Sequence, residues 1–161
     1  MADLKAGARE TAPLVLRLAL GAIFVCAGAQ KLGLLDPARS WDTTEASIAG
    51  FAGALAHFGL EPAKPLAWLV ALTEFFGGAF VLLGFGTRIA SLALAGVMVV
   101  AIVKVHGPNG FMGIPVEGGA VKPGYAENLM IIADALALAL LGSGPFALDN
   151  LLGRFRKKDR G

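Results

Sequence analysis

Residues 65–85 read PLAWLVALTEFFGGAFVLLGF, an apolar run that contains a single charged side chain, Glu74. A helix needs about 20 such residues to cross the hydrocarbon core of a bilayer. Three further apolar runs of similar character occupy residues 13–35, 88–105 and 126–141. None of them alternates apolar and polar residues with a period of two, as barrel strands do. The sequence therefore predicts an all-α integral membrane four-helix bundle.

The composition supports the same class. Hydrophobic residues make up 56% and charged residues 16% of the 161 residues, and the mean hydropathy is +0.69. Soluble domains average about 45–50% apolar and about 25% charged residues. One cysteine excludes a disulfide framework. A net charge of +2 is too small for a nucleic-acid-binding protein, so none is expected as a partner.

The connections between the apolar runs carry further expectations. Between the first two runs, residues 46–60 are apolar with spaced glycines, which predicts a short extra helix at the membrane surface. Residues 107–125 are rich in glycine and proline, which favours turns over a helix. We expect one domain over residues 1–161 that ends in a basic cytoplasmic tail at 150–161.

The lysines and arginines predict the orientation, because cytoplasmic loops carry an excess of them. Four spans place both termini and the loop near residue 87 on one side. That side holds eight basic residues, namely Lys5, Arg9, Arg88, Arg154, Arg156, Lys157, Lys158 and Arg160. The opposite side holds Arg39, Lys64 and Lys122, with Lys31 and Lys104 at helix ends. We therefore expect a multi-pass protein with both termini in the cytoplasm.

Short motifs recur in a fixed order along the four runs. They are Leu-Arg17-Leu-x-x-Gly21, Gly28-x-x-Lys31, Glu74-x-x-Gly77-Gly78, Gly84-x-x-Thr87-Arg88, His106, Gly110-Phe111, Gly124-Tyr125-x-Glu127 and Gly142-x-Gly144-x-x-x-Leu148-Asp149. In this order and spacing, over residues 13–152, the sequence resembles the DoxX family. The resemblance implies a four-helix protein of the bacterial inner membrane. Some relatives, such as DoxD of an archaeal thiosulfate:quinone oxidoreductase, belong to membrane redox complexes.

Charged residues inside the apolar runs need partners, because an ionised side chain at mid-bilayer costs about 2.5–3.5 kcal/mol on insertion scales. On the first helix Arg17, Gly21, Phe24, Gly28 and Lys31 form one stripe, and its glycines predict close approach of another helix. Helical rise places a first group of polar residues near the outer end of the bundle, with Glu74 one or two turns deeper. These are the candidate ligand-binding residues Lys31, Glu74, His106 and Glu127.

A second set of polar residues is expected to have structural roles. Arg17 and Arg88 lie near the inner end, where pairing with Asp149 or Glu74 is one possibility, and Asp134 falls near the middle of the fourth run. Such pairs can serve only to fix the register of the helices. The two histidines lie far apart in the sequence, so no metal site is predicted.

Three functions follow from these residues and the resemblance. The first is an accessory membrane subunit that anchors or stabilises a larger membrane or membrane-bound partner, associated with redox chemistry. The alternative is a quinone-binding redox subunit with its polar site at the outer half of the bundle. A second alternative is a small-solute or proton carrier that uses Glu74 and Asp134. No intrinsic cofactor is predicted, and the chain is expected to act at most as a subunit of a quinone-linked oxidoreductase.

Overall fold

The computed structural model describes residues 2–35, 46–116 and 119–150, with side chains from residue 11 onward. The basic tail expected at the carboxyl end lies outside these residues beyond position 150. The elements in chain order are α1 (Ala2–Lys31), α2 (Ile48–His57), α3 (Ala63–Leu83), α4 (Thr87–Ala101), β1 (Gly113–Pro115), β2 (Val121–Pro123) and α5 (Ala126–Leu141). A π-helical turn, Ile102–His106, and a 3-10 turn, Gly107–Asn109, continue α4.

Within the part of the chain that the structure describes, three helical segments are long and apolar enough to cross a membrane. They are Thr11–Lys31, Ala63–Leu83 and Thr87–Asn109. The fourth apolar run coincides with α5, which has 16 residues, and the expected short helix is α2, with 10 residues. The predicted all-α membrane bundle with an extra helix in its first connection is confirmed.

Helices α1, α3, α4 and α5 close a ring in which each packs on its two neighbours. Their shared core contains Leu20 and Phe24 of α1, Val81 of α3, Leu94 of α4 and Leu138 of α5, all buried. Helix α2 stands outside this ring and packs on the first half of α3. Apolar side chains cover the outer surface of the ring, as lipid contact requires.

The closest contact in the bundle joins α1 to α3 through glycines. A Cβ added to Gly28 would lie 2.7 Å from the Phe75 Cα, and one added to Gly21 would lie 2.8 Å from the Gly78 carbonyl oxygen. On α3, a Cβ at Gly78 would lie 2.7 Å from the Val25 nitrogen. The helices therefore run antiparallel with their backbones almost in contact, as the glycine stripe predicts.

At one end of the ring, Arg17 is buried and bonded entirely to backbone oxygens. Its Nε donates to the Val81 carbonyl at 3.0 Å and its Nη2 to the Leu82 carbonyl at 2.9 Å. Its Nη1 donates to the carbonyls of Ser143 and Pro145. The guanidinium thus caps the end of α3 and ties it to the chain that follows α5.

The neighbouring polar groups use other partners. Both carboxylate oxygens of Asp149 accept from the Gly86 N–H at 3.1 Å, which fixes the turn between α3 and α4. The exposed Arg88 side chain lies beside Gly142 at the end of α5. Within the described residues, neither arginine of this end pairs with Glu74: Arg17 bonds backbone carbonyls, and Glu74 bonds Lys31.

Three local features differ from the expectations. Helix α1 begins at Ala2, before the apolar run predicted from residue 13, and Pro13 lies inside it without an N–H to donate to the helical ladder. The helix ends at Lys31, before residue 35, because the chain turns at Gly33 with φ +71°. The loop after α4 contains a two-stranded antiparallel hairpin, β1–β2, in addition to turns.

Replacing Gly28 with Leu should destabilise the bundle by about 1–3 kcal/mol, because the side chain would meet the Phe75 backbone. Gly96→Leu on α4 is the matched control, since nothing lies within 4 Å of a Cβ at that position. Unfolding of both variants in detergent measures the difference. Equal stability of the two variants would contradict the glycine contact.

Replacing Arg17 with Met should cost about 3 kcal/mol or more, because several buried carbonyls lose their donor at about 1–3 kcal/mol each. Arg17→Lys should retain part of this stability, since an ammonium group offers three donors instead of five. Arg88→Met, at an exposed arginine of the same end, should cost far less. Thermal unfolding in detergent compares the three variants, and equal losses for Arg17→Met and Arg88→Met would refute the capping role.

Candidate functional site

The last turn of α1 and the middle of α3 form a buried ion pair. Lys31 Nζ lies 2.8 Å from Glu74 Oε2, and the side chains are only 13% and 3% exposed. The spacing of the α1 stripe accounts for this meeting. Lys31 follows Gly28 by three residues and Glu74 precedes Phe75, so the glycine contact brings the two charges to one level.

Helix α2 covers the pair on its outer side. The buried ring of Phe51 lies with its centroid 5.0 Å from Lys31 Nζ, a cation–π contact. Phe51 and Leu55 lie one turn apart on α2 and pack with Ala67 of α3. The apolar face of α2 is visible in the sequence, but its position over Lys31 is not, because the periodicity of one helix does not say which other helix it packs on.

This arrangement combines a fixed cation, a carboxylate and an aromatic face. Charges removed from water are costly unless they are paired and hydrogen-bonded, so each partner depends on the other. A carboxylate beside an ammonium group can accept a proton and return it, and the ammonium can donate to an oxygen of a bound molecule. The pair therefore offers both a hydrogen-bond donor and a proton acceptor in a largely apolar setting.

The other two candidate ligand-binding residues lie at the same end of the ring but in different surroundings. His106 closes the π-helical turn, and its Nδ1 lies 3.2 Å from the Pro123 carbonyl oxygen of β2. Asn109 donates to the same oxygen at 2.9 Å. Glu127 lies exposed in the first turn of α5. The structure thus joins Lys31 to Glu74, and it gives His106 a contact that holds the hairpin.

The interior of α4 and α5 carries a second set of polar atoms. Within the described residues, Thr87 Oγ1, Ser91 Oγ and Asp134 Oδ1 are buried and make no hydrogen bond. Asn128 Nδ2 lies 3.4 Å from the sulfur of Met98 across the same seam. Among residues 2–35, 46–116 and 119–150, no three His, Cys, Asp or Glu side chains group as metal ligands would.

The region that is similar to known proteins includes the helices that carry the ion pair. The DoxX family matches residues 12–107, from α1 through the turn that follows α4. The inner membrane protein YqjF of Escherichia coli (strain K12) is 33% identical over 91 residues, which cover 53% of this chain and 61% of that protein. The chain thus spans about three fifths of the length of this relative, and no solved structure matches it. Because the family match covers more than half of the sequence, the chain belongs to the DoxX family.

Proposed function

We propose that the chain is an accessory subunit of a larger redox complex in the bacterial inner membrane, and that its contribution is a quinone-binding site at Lys31 and Glu74. The contact of 2.8 Å between these side chains, beneath Phe51, carries the proposal. The inner-membrane location is supported by the name of the E. coli relative.

The chemistry of the pair suits a quinone head group. A quinone carbonyl accepts a hydrogen bond, which the Lys31 ammonium group can donate, and the flat ring can stack on Phe51. Reduction of a quinone to a quinol consumes two electrons and two protons. Glu74 can pass protons between the head group and water, while the electrons come from a donor in the partner complex.

The packing of the glycines bears on how a partner would attach. Gly21, Gly28 and Gly78 are used between α1 and α3, and Gly77 lies against Leu94 of α4. These small-residue faces are therefore occupied inside the bundle. A partner would instead meet the outer apolar surface of the ring, which includes Leu69, Ile89 and Leu140.

The carrier alternative draws less support from the geometry. It requires Glu74 and Asp134 along one path, but Glu74 is bonded to Lys31 near the α2 end. Asp134 lies in the middle of α5, and no hydrogen bond joins its Oδ1 to another described residue. Because Glu74 is bonded to the cation of Lys31, the geometry favours a ligand-binding site over a path for the transport of protons or solutes.

A double substitution separates a structural role of the pair from a functional one. Lys31→Met alone removes this cation from the buried Glu74 carboxylate and should cost up to about 3–5 kcal/mol, whereas Lys31→Met with Glu74→Met should recover most of that loss. The double variant should nevertheless lose binding of decylubiquinone, measured by titration calorimetry in detergent. Lys104→Met, at an exposed lysine of the same end, is the control that should bind normally. A double variant that binds decylubiquinone as tightly as the parent would refute the site.

We further propose four membrane crossings with both termini in the cytoplasm. The distribution of lysine and arginine supports this orientation, and Arg88 follows the turn between α3 and α4. Reporter fusions after Thr87 and after Gly161 should report the cytoplasm, and a fusion after Glu61 should report the periplasm. A periplasmic signal at Thr87 or Gly161 would contradict the orientation.

A further inference from the structure

The hairpin β1–β2 and the turn before it expose large apolar side chains beyond the ends of α4 and α5. The exposed fractions are 51% for Phe111, 78% for Met112, 42% for Ile114 and 60% for Val121. Side chains of this kind on the helices face lipid, but these four lie on a loop between helices. Exposed apolar side chains of this size on a loop indicate contact with lipid or with another protein.

Backbone bonds fasten this hairpin to the start of α5. The Tyr125 N–H donates to the Gly110 carbonyl at 3.1 Å, and the Ala126 N–H donates to the Phe111 carbonyl at 3.0 Å. The rings of Phe111 and Tyr125 meet edge to face at 5.5 Å between centroids. His106 and Asn109 contact the Pro123 carbonyl from the other side. These contacts fix the position of the hairpin relative to α4 and α5.

The lengths of the helices indicate what lies at that level. Helix α5 has 16 residues, which span about 24 Å, whereas the hydrocarbon core of a bilayer is about 30 Å thick. The neighbouring segment Thr87–Asn109 has 23 residues and is long enough to cross. Because Arg88 of α4 lies beside Gly142 at the end of α5, the shorter α5 begins below the level that Asn109 reaches, and the hairpin connects the two at the membrane boundary.

We infer that the hairpin lies in the interfacial layer of the bilayer, with Phe111 and Met112 inserted among the lipids and with Ile114 and Val121 on its two opposite faces. Exposed apolar side chains also lie next to the hairpin in the sequence, at Val103 in the turn after α4 and at Met130 near the start of α5. Lys104 of the π-helical turn and Lys122 of β2 are exposed, and their positive charges suit the phosphates of lipid headgroups.

The interfacial layer also suits the backbone of the hairpin. A two-stranded sheet has two open edges, whose N–H and C=O groups need water or another partner. The hydrocarbon core offers neither, but the headgroup region offers both. This inference rests on the membrane embedding of the helices and is independent of the quinone site and of the orientation of the termini.

Tryptophan fluorescence tests the inference in vesicles of phosphatidylcholine. In a background of Trp41→Phe and Trp68→Phe, Met112→Trp places a single probe on the hairpin, and Leu92→Trp places one at an exposed position within α4. Lipids brominated near the headgroup should quench the Met112→Trp probe several-fold more than lipids brominated near the chain end. Quenching by aqueous iodide should be several-fold weaker than for free tryptophan amide.

The Leu92→Trp protein controls for correct insertion, because its probe should respond most to lipids brominated near the chain end. Ile114→Trp serves as a second hairpin probe if the first variant does not fold. Two outcomes would overturn the inference. Full quenching by iodide without any effect of brominated lipids would place the hairpin in water, and insensitivity to both quenchers would place it under protein.

Discussion

The contact between the backbones of α1 and α3 sets the geometry on which both polar ends of the bundle depend. Lipid tails are as apolar as the helix surfaces, so helices in a membrane associate through close packing rather than through removal of apolar area from water. Gly21, Gly28 and Gly78 allow that packing. Once they fix the antiparallel register, Lys31 faces Glu74 at one end of the stripe and Arg17 reaches the last carbonyls of α3 at the other.

The cations at the two ends of this stripe have different kinds of hydrogen-bond partner. Arg17 is bonded to carbonyl oxygens, which are fixed in position and cannot take up a proton under any ordinary condition. Lys31 is bonded to a carboxylate, which can. The same helix face therefore serves as a permanent cap at one end and offers exchangeable protons at the other. This contrast is the physical reason to place the candidate site at Lys31 and Glu74 rather than at Arg17.

The features set by local periodicity could be predicted from the sequence, and the features set by long-range contacts could not. The stripe through Gly21 and Gly28 indicated a close helix neighbour because its spacing alone defines a face. The partners of the charged residues were harder to predict, since Arg17 bonds carbonyls of two distant segments and His106 contacts the hairpin. Phe51 was missed for the same reason, since its contact with Lys31 joins two helices that lie apart in the sequence. The hairpin was missed because glycine and proline dominate its residues and mask its short strands.

The cover over the ion pair has an energetic consequence for any ligand. Glu74 is almost fully buried, and Phe51 and Leu55 hold α2 against α3. Full exposure of two such side chains costs about 1.5–3 kcal/mol each, and the Lys31 cation would lose its aromatic contact as well. A head group that enters beneath α2 must replace these contacts with its own ring and its own hydrogen bonds. A flat, apolar molecule with oxygen acceptors at its edge meets both requirements, whereas a small hydrated ion meets neither, which favours a quinone over a hydrophilic solute as the occupant.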